Sequence, residues 1–299
     1  MNSVVLSRAD RLGDLVLSLP VLGLLQDAGF ARRVLHCSPY ARAVGEWAVH
    51  NGLATELWTT GDALPTGLRG ERGLSLFHTP EGVELFRRLG LAHTLGPRAK
   101  LSALWSYTRS VAQHRSRVQK SEMEYNLDLA RAFLVQAGSK VPEFRGLPAL
   151  AVPPDWRAPI DSPDLVIVVS NRGSAANWPI EKYVEWGARE SARGRRVDYL
   201  ASGIDAPERR EALRSLGVEA KGSRILADFG SIRELIAYLS KAGEVLSSST
   251  GPLHLAHAAG VPVIGIYPTK RVESFDRWRP HGYWHAGPVR FVEMRGPQE

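Results

Sequence analysis

The feature that most constrains this chain is an alternation in its second half. "LVIVVS" (Leu165–Ser170) is an unbroken apolar run of strand length. The residues after it read as helix over Ile180–Arg193, strand over Val197–Ala201, helices over Ala206–Leu216 and Ser231–Lys241, strand over Val245–Ser248, helix over Pro252–Ala259 and strand over Val261–Tyr267. A continuously apolar strand needs cover on both faces, and a parallel neighbour needs a crossover helix to carry the chain back. The pattern therefore predicts a doubly wound α/β domain around a parallel sheet. The chain opens in the same way, with a strand at Val4–Ser7 and a helix starting near Gly13 whose apolar set is Leu15, Val16, Leu19, Leu22 and Leu25. Strands at Val34–His36, Glu56–Trp58 and Leu74–Phe77 follow, and a long helix over Glu122–Ala137 closes this half.

A chain of 299 residues exceeds what one hydrophobic core usually organises. Six prolines between Val141 and Pro163 mark the break. The reading divides the chain into an α/β domain at 1–150, a Pro-rich linker at 151–163 and a second α/β domain at 164–299. In such folds ligands bind at the carboxyl ends of the strands, so both domains are expected to present their loops to a shared cleft. An apolar content of 44% excludes a disordered chain, and the formal charge of +7 favours anionic partners. Nucleic acid, a nucleotide, a phosphorylated glycolipid and an acidic membrane surface all meet that condition. No nucleic-acid fold signature accompanies it, so nucleic acid is not expected as a partner. The single cysteine, Cys37, leaves no internal disulfide and no Cys-based metal cage, which fits a reducing compartment. The start "MNSVVLSRADRLGD" has no signal-peptide pattern, and no apolar run reaches the roughly 18 residues of a membrane span. The expected location is cytoplasmic, with at most peripheral contact to a membrane.

Four stretches carry chemistry. In "LSSSTGPLHLAHAAGVPVIGIYPT" (Leu246–Thr269), Ser249, Thr250 and Gly251 sit where a strand turns into a helix, a geometry that offers backbone N–H groups and a positive dipole end to a phosphate. The plainer alternative is an ordinary N-cap followed by Pro252. His254 and His257 share a helix face, but no third ligand stands at a metal-binding spacing, so no metal is expected. His254 is placed to meet a phosphate or sugar hydroxyl, and His257 to pack. In "RADRLGDLVLSLP" (Arg8–Pro20), Asp14 begins the first helix and is a candidate general base. Asp10 competes with it, and Arg8 and Arg11 either pair with these carboxylates or hold an anion. In "SNRGSAANWPIEKY" (Ser170–Tyr183), Ser170, Asn171 and Arg172 follow a strand, and Arg172 could clamp a phosphate. "TKRVESFDRWRPHG" (Thr269–Gly282) adds Arg and Trp after the last strand. Separately, the segment Arg98–Lys120 has six Lys or Arg and no acid, with Trp105 and Tyr107 interleaved. It is read as a mostly helical face whose Arg109, Arg115, Arg117 and Lys120 meet a phosphorylated headgroup, or as a simple solvated face.

Taken in order, "LGDLVLSLPVLGLL", "MEYNLDLARAFL", "NWPIEKYVEWGA" and "SSSTGPLHLAHAAGVPVIGIYPT" resemble glycosyltransferase family 9, the bacterial lipopolysaccharide heptosyltransferases. The resemblance implies a GT-B fold, an α/β architecture of two Rossmann-like domains facing a cleft, with the acceptor held by the first and a sugar nucleotide, typically ADP-heptose, by the second. It implies metal-independent, inverting transfer without a cofactor. The acceptor would be a phosphorylated glycolipid of the lipopolysaccharide core, met at the cytoplasmic face of the inner membrane. By the same resemblance Asp14 is the general base, and Thr250, Gly251 and His254 hold the donor diphosphate and sugar. Two positions depart from the family pattern. Ser249 stands where an Asp is usual, and Ala176 where a Lys is usual two residues before the Trp-Pro pair. Arg172 or Arg271 would then offset the leaving-group charge. These departures motivate a rival reading, a sugar-nucleotide or glycan-binding protein with impaired catalysis, and a third, an epimerase of the same fold.

Overall fold

The computed structural model describes residues 2–98, 103–170, 177–203, 205–280, 284–285 and 287–294. The chain divides into two compact units, Met1–Leu147 and Pro148–Glu299.

The first unit is built on a six-stranded parallel sheet. In spatial order its strands are Glu56–Thr59, Arg32–Cys37, Ser3–Ser7, Arg72–Ser75, His93–Pro97 and Arg109–Val111. Numbered along the chain this order is 3-2-1-4-5-6, the doubly wound order in which the sheet reverses direction of growth between its first and fourth strands. Val4, Val5 and Leu6 are fully buried, as the need to cover both faces of the central strand requires. On one face Val5, Val34, Trp58, Leu85, Phe86 and Tyr107 form a core cluster. The helix Leu19–Asp27 packs against Glu122–Gln136.

Three differences from the sequence reading have physical causes. The expected first helix is two helices, Leu12–Val16 and Leu19–Asp27. Pro20 lacks the N–H an uninterrupted helix would use, and the Ser18 hydroxyl donates to the Asp14 carbonyl at 2.7 Å. The basic segment read as mostly helical is, among its described residues, a short helix at Ala103–Ser106, the edge strand Arg109–Val111 and a 3-10 turn at Arg115–Arg117. Reciprocal bonds recruit it to the sheet: the Thr94 amide donates to Thr108 Oγ1 at 2.8 Å, and the Thr108 amide to Thr94 Oγ1 at 3.0 Å. Finally, the helix Pro80–Arg88 and strand His93–Pro97 complete a region that carried no firm sequence assignment.

The second unit repeats the plan. Its sheet runs Arg224–Leu226, Val197–Leu200, Leu165–Val168, Val245–Ser248, Val263–Pro268 and Val289–Met294, again 3-2-1-4-5-6 and parallel throughout. Leu165, Ile167, Val169, Tyr183, Tyr199 and Leu246 are among the buried residues of its core. Gly187 lies in the helix Ile180–Ala192 against Tyr199, where any Cβ would collide with the phenol, so the close approach of helix to sheet depends on glycine there. The Pro-rich stretch lies along this unit. The Leu150 amide donates to the Ala258 carbonyl at 2.7 Å, the Ser162 hydroxyl to the Tyr238 carbonyl at 2.6 Å, and Arg224 Nη2 to the Asp161 carbonyl at 2.7 Å.

Candidate functional site

In the first unit the loop after the central strand, with the short helix Leu12–Val16 that follows it, delivers Arg8, Asp10, Arg11 and Asp14 within seven residues. Arg8 is buried, and its guanidinium is divided among several partners. Nε donates to Asp10 Oδ1 at 2.6 Å, Nη2 to Asp10 Oδ2 at 2.9 Å and Asp14 Oδ1 at 2.7 Å, and Nη1 to Glu122 Oε1 at 3.1 Å and Asn126 Oδ1 at 3.3 Å. The exposed Phe77 ring lies 5.5 Å from the guanidinium carbon, close enough for a cation–π contact. Glu122 Oε1 also accepts from Arg115 Nη1 at 2.5 Å. Arg8 therefore pairs with carboxylates and has no surface left for an anionic ligand.

Burial dominates the titration of Asp14. It raises the carboxyl to about 6, with Asp10 and Glu122 pushing the same way and Arg8 and Arg11 opposing. A carboxyl tuned to that range can be ionised at neutral pH and still accept a proton, which suits a general base. Asp14 retains 11% of its side-chain surface against 1% for Glu122. Of these two, only Asp14 keeps an edge to solvent.

The other first-unit residues nominated from sequence scatter. Arg115 is half-buried and bonded to Glu122, to Gln113 and to the Leu76 carbonyl. Lys120 is exposed and paired with Asp128 at 2.6 Å. Arg11, Arg109 and Arg117 are exposed. Glu122 and Asn126 were not nominated. The signal available was a second glutamate at a helix start, where Glu124 already completes the capping box with Ser121.

In the second unit, strand Val245–Ser248 leads through Ser249 and Thr250 into the helix Gly251–Ala258. Thr250 is the N-cap residue, but its side chain does not cap. Its hydroxyl pairs with Ser247 Oγ at 3.0 Å and donates to the Ser248 carbonyl at 3.3 Å. The Thr250 side chain makes no cap bond, which leaves the dipole end available to an anion. Ser248 Oγ donates to Asn177 Oδ1 at 3.0 Å, joining this turn to the loop before the helix Ile180–Ala192. Ser249 neighbours the Tyr267 phenol, which burial pushes up and this serine draws back.

His254 is buried, and its Nδ1 has no hydrogen-bond partner among the described residues. Burial, with His257 alongside, lowers it to about 3, so the ring is a neutral imidazole at physiological pH. His257 is buried as well.

Ser170, read as a loop residue open to ligand, is instead buried. Its hydroxyl donates to the Ser202 carbonyl at 2.7 Å and accepts from the Ser202 amide at 2.6 Å, so it ties two strand ends together. Arg172 and Ala176 lie outside the described residues. Trp178 is buried against Tyr183 and Trp186, with ring centroids 5.4 and 5.9 Å away, as a helix anchor. Arg271 is exposed on the 3-10 turn Arg271–Glu273 beside the Lys270–Glu273 pair. Among the described residues no group of three or more His, Cys, Asp or Glu side chains is arranged to hold a metal ion, and no helix is long and apolar enough to cross a membrane.

Comparison with known proteins agrees with this architecture. A structure of a family 9 glycosyltransferase from Veillonella parvula aligns over 98% of this chain and 86% of its own, with a TM-score of 0.77 at 14% identity. E. coli heptosyltransferase WaaC, solved with ADP, aligns over 97% of this chain and 93% of its own, with a TM-score of 0.72 at 17% identity. The two six-stranded parallel sheets are thus those of a GT-B fold. A Haemophilus influenzae protein whose name proposes a glycosyltransferase is 26% identical over 226 residues, 69% of this chain and 62% of that relative's length. The sequence profile of glycosyltransferase family 9 (heptosyltransferase) matches residues 85–282, most of the chain, and the protein belongs to that family.

Proposed function

We propose that this protein is an inverting, metal-independent glycosyltransferase. It moves a heptose from ADP-heptose to a phosphorylated glycan acceptor of the lipopolysaccharide-core type. The observation that carries the reading is Asp14, a carboxyl held by Arg8 at 2.7 Å and raised by burial to about 6. In this reading Asp14 takes the proton of the acceptor hydroxyl as that oxygen attacks the anomeric carbon. The sugar–phosphate bond breaks and the nucleoside diphosphate leaves with its electron pair. The Thr250–Gly251 helix start and the neutral His254 ring would receive the diphosphate and sugar, with Arg172 or Arg271 offsetting the charge that develops.

The acceptor side would use the exposed basic residues Arg11, Arg109 and Arg117, together with Arg115 and Lys120. Basic residues of the segment Arg98–Lys120 would also serve peripheral contact with the cytoplasmic face of the inner membrane. Support for the donor comes from the fold shared with WaaC, whose structures hold ADP and ADP-2-deoxy-2-fluoro heptose.

Ser249, where the family pattern has an acid, favours a second reading as a sugar-nucleotide-binding protein with impaired catalysis. One experiment separates the two. ADP-heptose and heptose-deficient lipopolysaccharide are incubated with the wild type and with Asp14→Asn, and product is followed by mass spectrometry while ADP binding is followed by calorimetry. Product from the wild type, lost by at least about a hundredfold in the variant with ADP affinity intact, supports the first reading. Binding without product from the wild type supports the second.

A further inference from the structure

Among the described residues of the first unit, three carboxylates gather around Arg8. Asp10, Asp14 and Glu122 share it, and among the described residues the Arg115 guanidinium also joins the group, through Glu122. Burying ions costs several kcal/mol each unless geometry and hydrogen bonding compensate, and well-packed apolar residues commonly serve stability as well or better. The three acids are also unequally served. Asp10 accepts two N–H groups of Arg8, and Glu122 accepts from both Arg8 and Arg115. Asp14 accepts from Arg8 Nη2 alone among these donors, and that group is shared with Asp10. Asp14 thus receives the fewest of these bonds.

We propose that Arg8 and Glu122 form a matched positioning pair for Asp14. Arg8 orients the carboxylate through its Nη2 bond, and Glu122, 114 residues away in sequence, holds the guanidinium where it can do so. This rests on the reading of Asp14 as the general base and adds to it the residues that set its orientation and its proton affinity.

The planar fork explains why the first member is arginine. Nε, Nη1 and Nη2 reach three acids in different directions at once, which the single ammonium of lysine cannot do. Asn126 closes the arrangement. Its Oδ1 accepts from Arg8 Nη1 at 3.3 Å, and its Nδ2 donates to Ser18 Oγ at 3.2 Å, the hydroxyl that in turn donates to the Asp14 carbonyl. The helix Glu122–Gln136 thus grips both the guanidinium that meets the Asp14 side chain and the serine that meets its backbone. The charged groups acting on Asp14 are Arg8, Arg11, Asp10 and Glu122, and of the acids Glu122 is the one most removed from solvent.

The pair has a signature that a merely structural cluster lacks. Glu122→Gln keeps shape and one acceptor but removes a negative neighbour, so Asp14 should titrate at lower pH and the acid limb of kcat/KM should move down with it. Arg8→Lys keeps the charge but loses the fork, so kcat should fall about tenfold or more with the donor KM unchanged. Titration is read directly, by NMR of protein labelled with aspartate carrying 13C at the carboxyl, with the Asp14 resonance assigned by its loss in Asp14→Asn. A midpoint for Asp14 in Glu122→Gln that stays in place or rises overturns the proposal, as does full kcat in Arg8→Lys. If Arg8→Lys does not fold, the Glu122→Gln titration decides alone. The base assignment fails separately, by turnover surviving in Asp14→Asn. The midpoint in Glu122→Gln is measured without turnover and still tests the pair.

Discussion

In the proposed reaction Asp14 meets opposing demands from chemistry and from folding. Its carboxyl goes from the ordinary 3.8 to about 6 on burial, so the native state holds this proton more tightly than the unfolded chain does. The group's contribution to stability is greatest below about pH 4 and falls as pH rises through 6, by about 2 to 3 kcal/mol for a shift of this size. Asp14→Asn should remove that slope, and urea unfolding should find the variant gaining on the wild type at pH 7.5 but not at pH 4. Equal differences at both pH values would refute the assignment. The buried histidines act in the reverse sense. His254 is lowered to about 3 and His36 to about 4, both by burial, so below 6.5 the unfolded chain takes protons that the native state refuses. Their stabilisation is complete above about pH 6.5 and is lost as the pH falls toward 4. Substituting His254 by Gln should make the fold less acid-sensitive over that window, read as a smaller drop in urea midpoint between pH 7 and pH 4.5. The same variant should bind ADP-heptose more weakly if the ring meets the donor.

At the scale of elements, legibility tracked length and locality. The helix Glu122–Gln136 announces itself by its apolar repeat and by Ser121 and Glu124, which form a capping box. Strand Val245–Ser248 was readable because Val245 and Leu246 lead into a Ser/Thr/Gly turn that precedes a helix. The edge strands Arg109–Val111 and Arg224–Leu226 are three residues each, too short for any period to show, and exist because a neighbouring strand supplies their partners. Asp14 was nominated from its place after a strand, and the structure puts it on the short helix that follows that strand. Its bond to Arg8 was open among alternatives, and Glu122 was invisible because that contact is made by folding and not by spacing. One element also stores strain. Val118, which ends the 3-10 turn Arg115–Arg117, has φ +46° and ψ +51°, a left-handed conformation that crowds a β-branched side chain. Val118→Asn keeps a side chain that tolerates this region and should raise stability by about 1 kcal/mol, read as a Tm a few degrees higher. A fall in Tm would mean that packing of the valine outweighs its backbone strain.

For the whole molecule the charge balance and one aromatic residue belong together. The chain carries a formal charge of +7, and Trp105 is 91% exposed in a segment without acids that also presents Arg98, Arg109 and Arg117 to solvent. An indole left in water is poorly used by a monomer in bulk solution but suits the boundary between headgroups and acyl chains, and each nearby basic residue adds about 1 kcal/mol of attraction to an anionic surface. Because the surface potential decays within a Debye length, of order 10 Å at 0.1 M salt, the attraction must weaken with ionic strength, whereas burial of the indole must not. The proposed membrane contact therefore has two separable parts. Vesicles containing about a third phosphatidylglycerol should retain the protein in sedimentation at low salt and release most of it by 0.5 M. Neutral phosphatidylcholine vesicles should retain little at either salt. Trp105→Ala should lower binding at every ionic strength without altering its slope against salt, and Arg109→Gln with Arg117→Gln should flatten that slope. Binding that is equal on neutral and anionic vesicles, or a Trp105→Ala variant that sediments like the wild type, would remove this surface from the membrane and leave its basic residues to the acceptor alone.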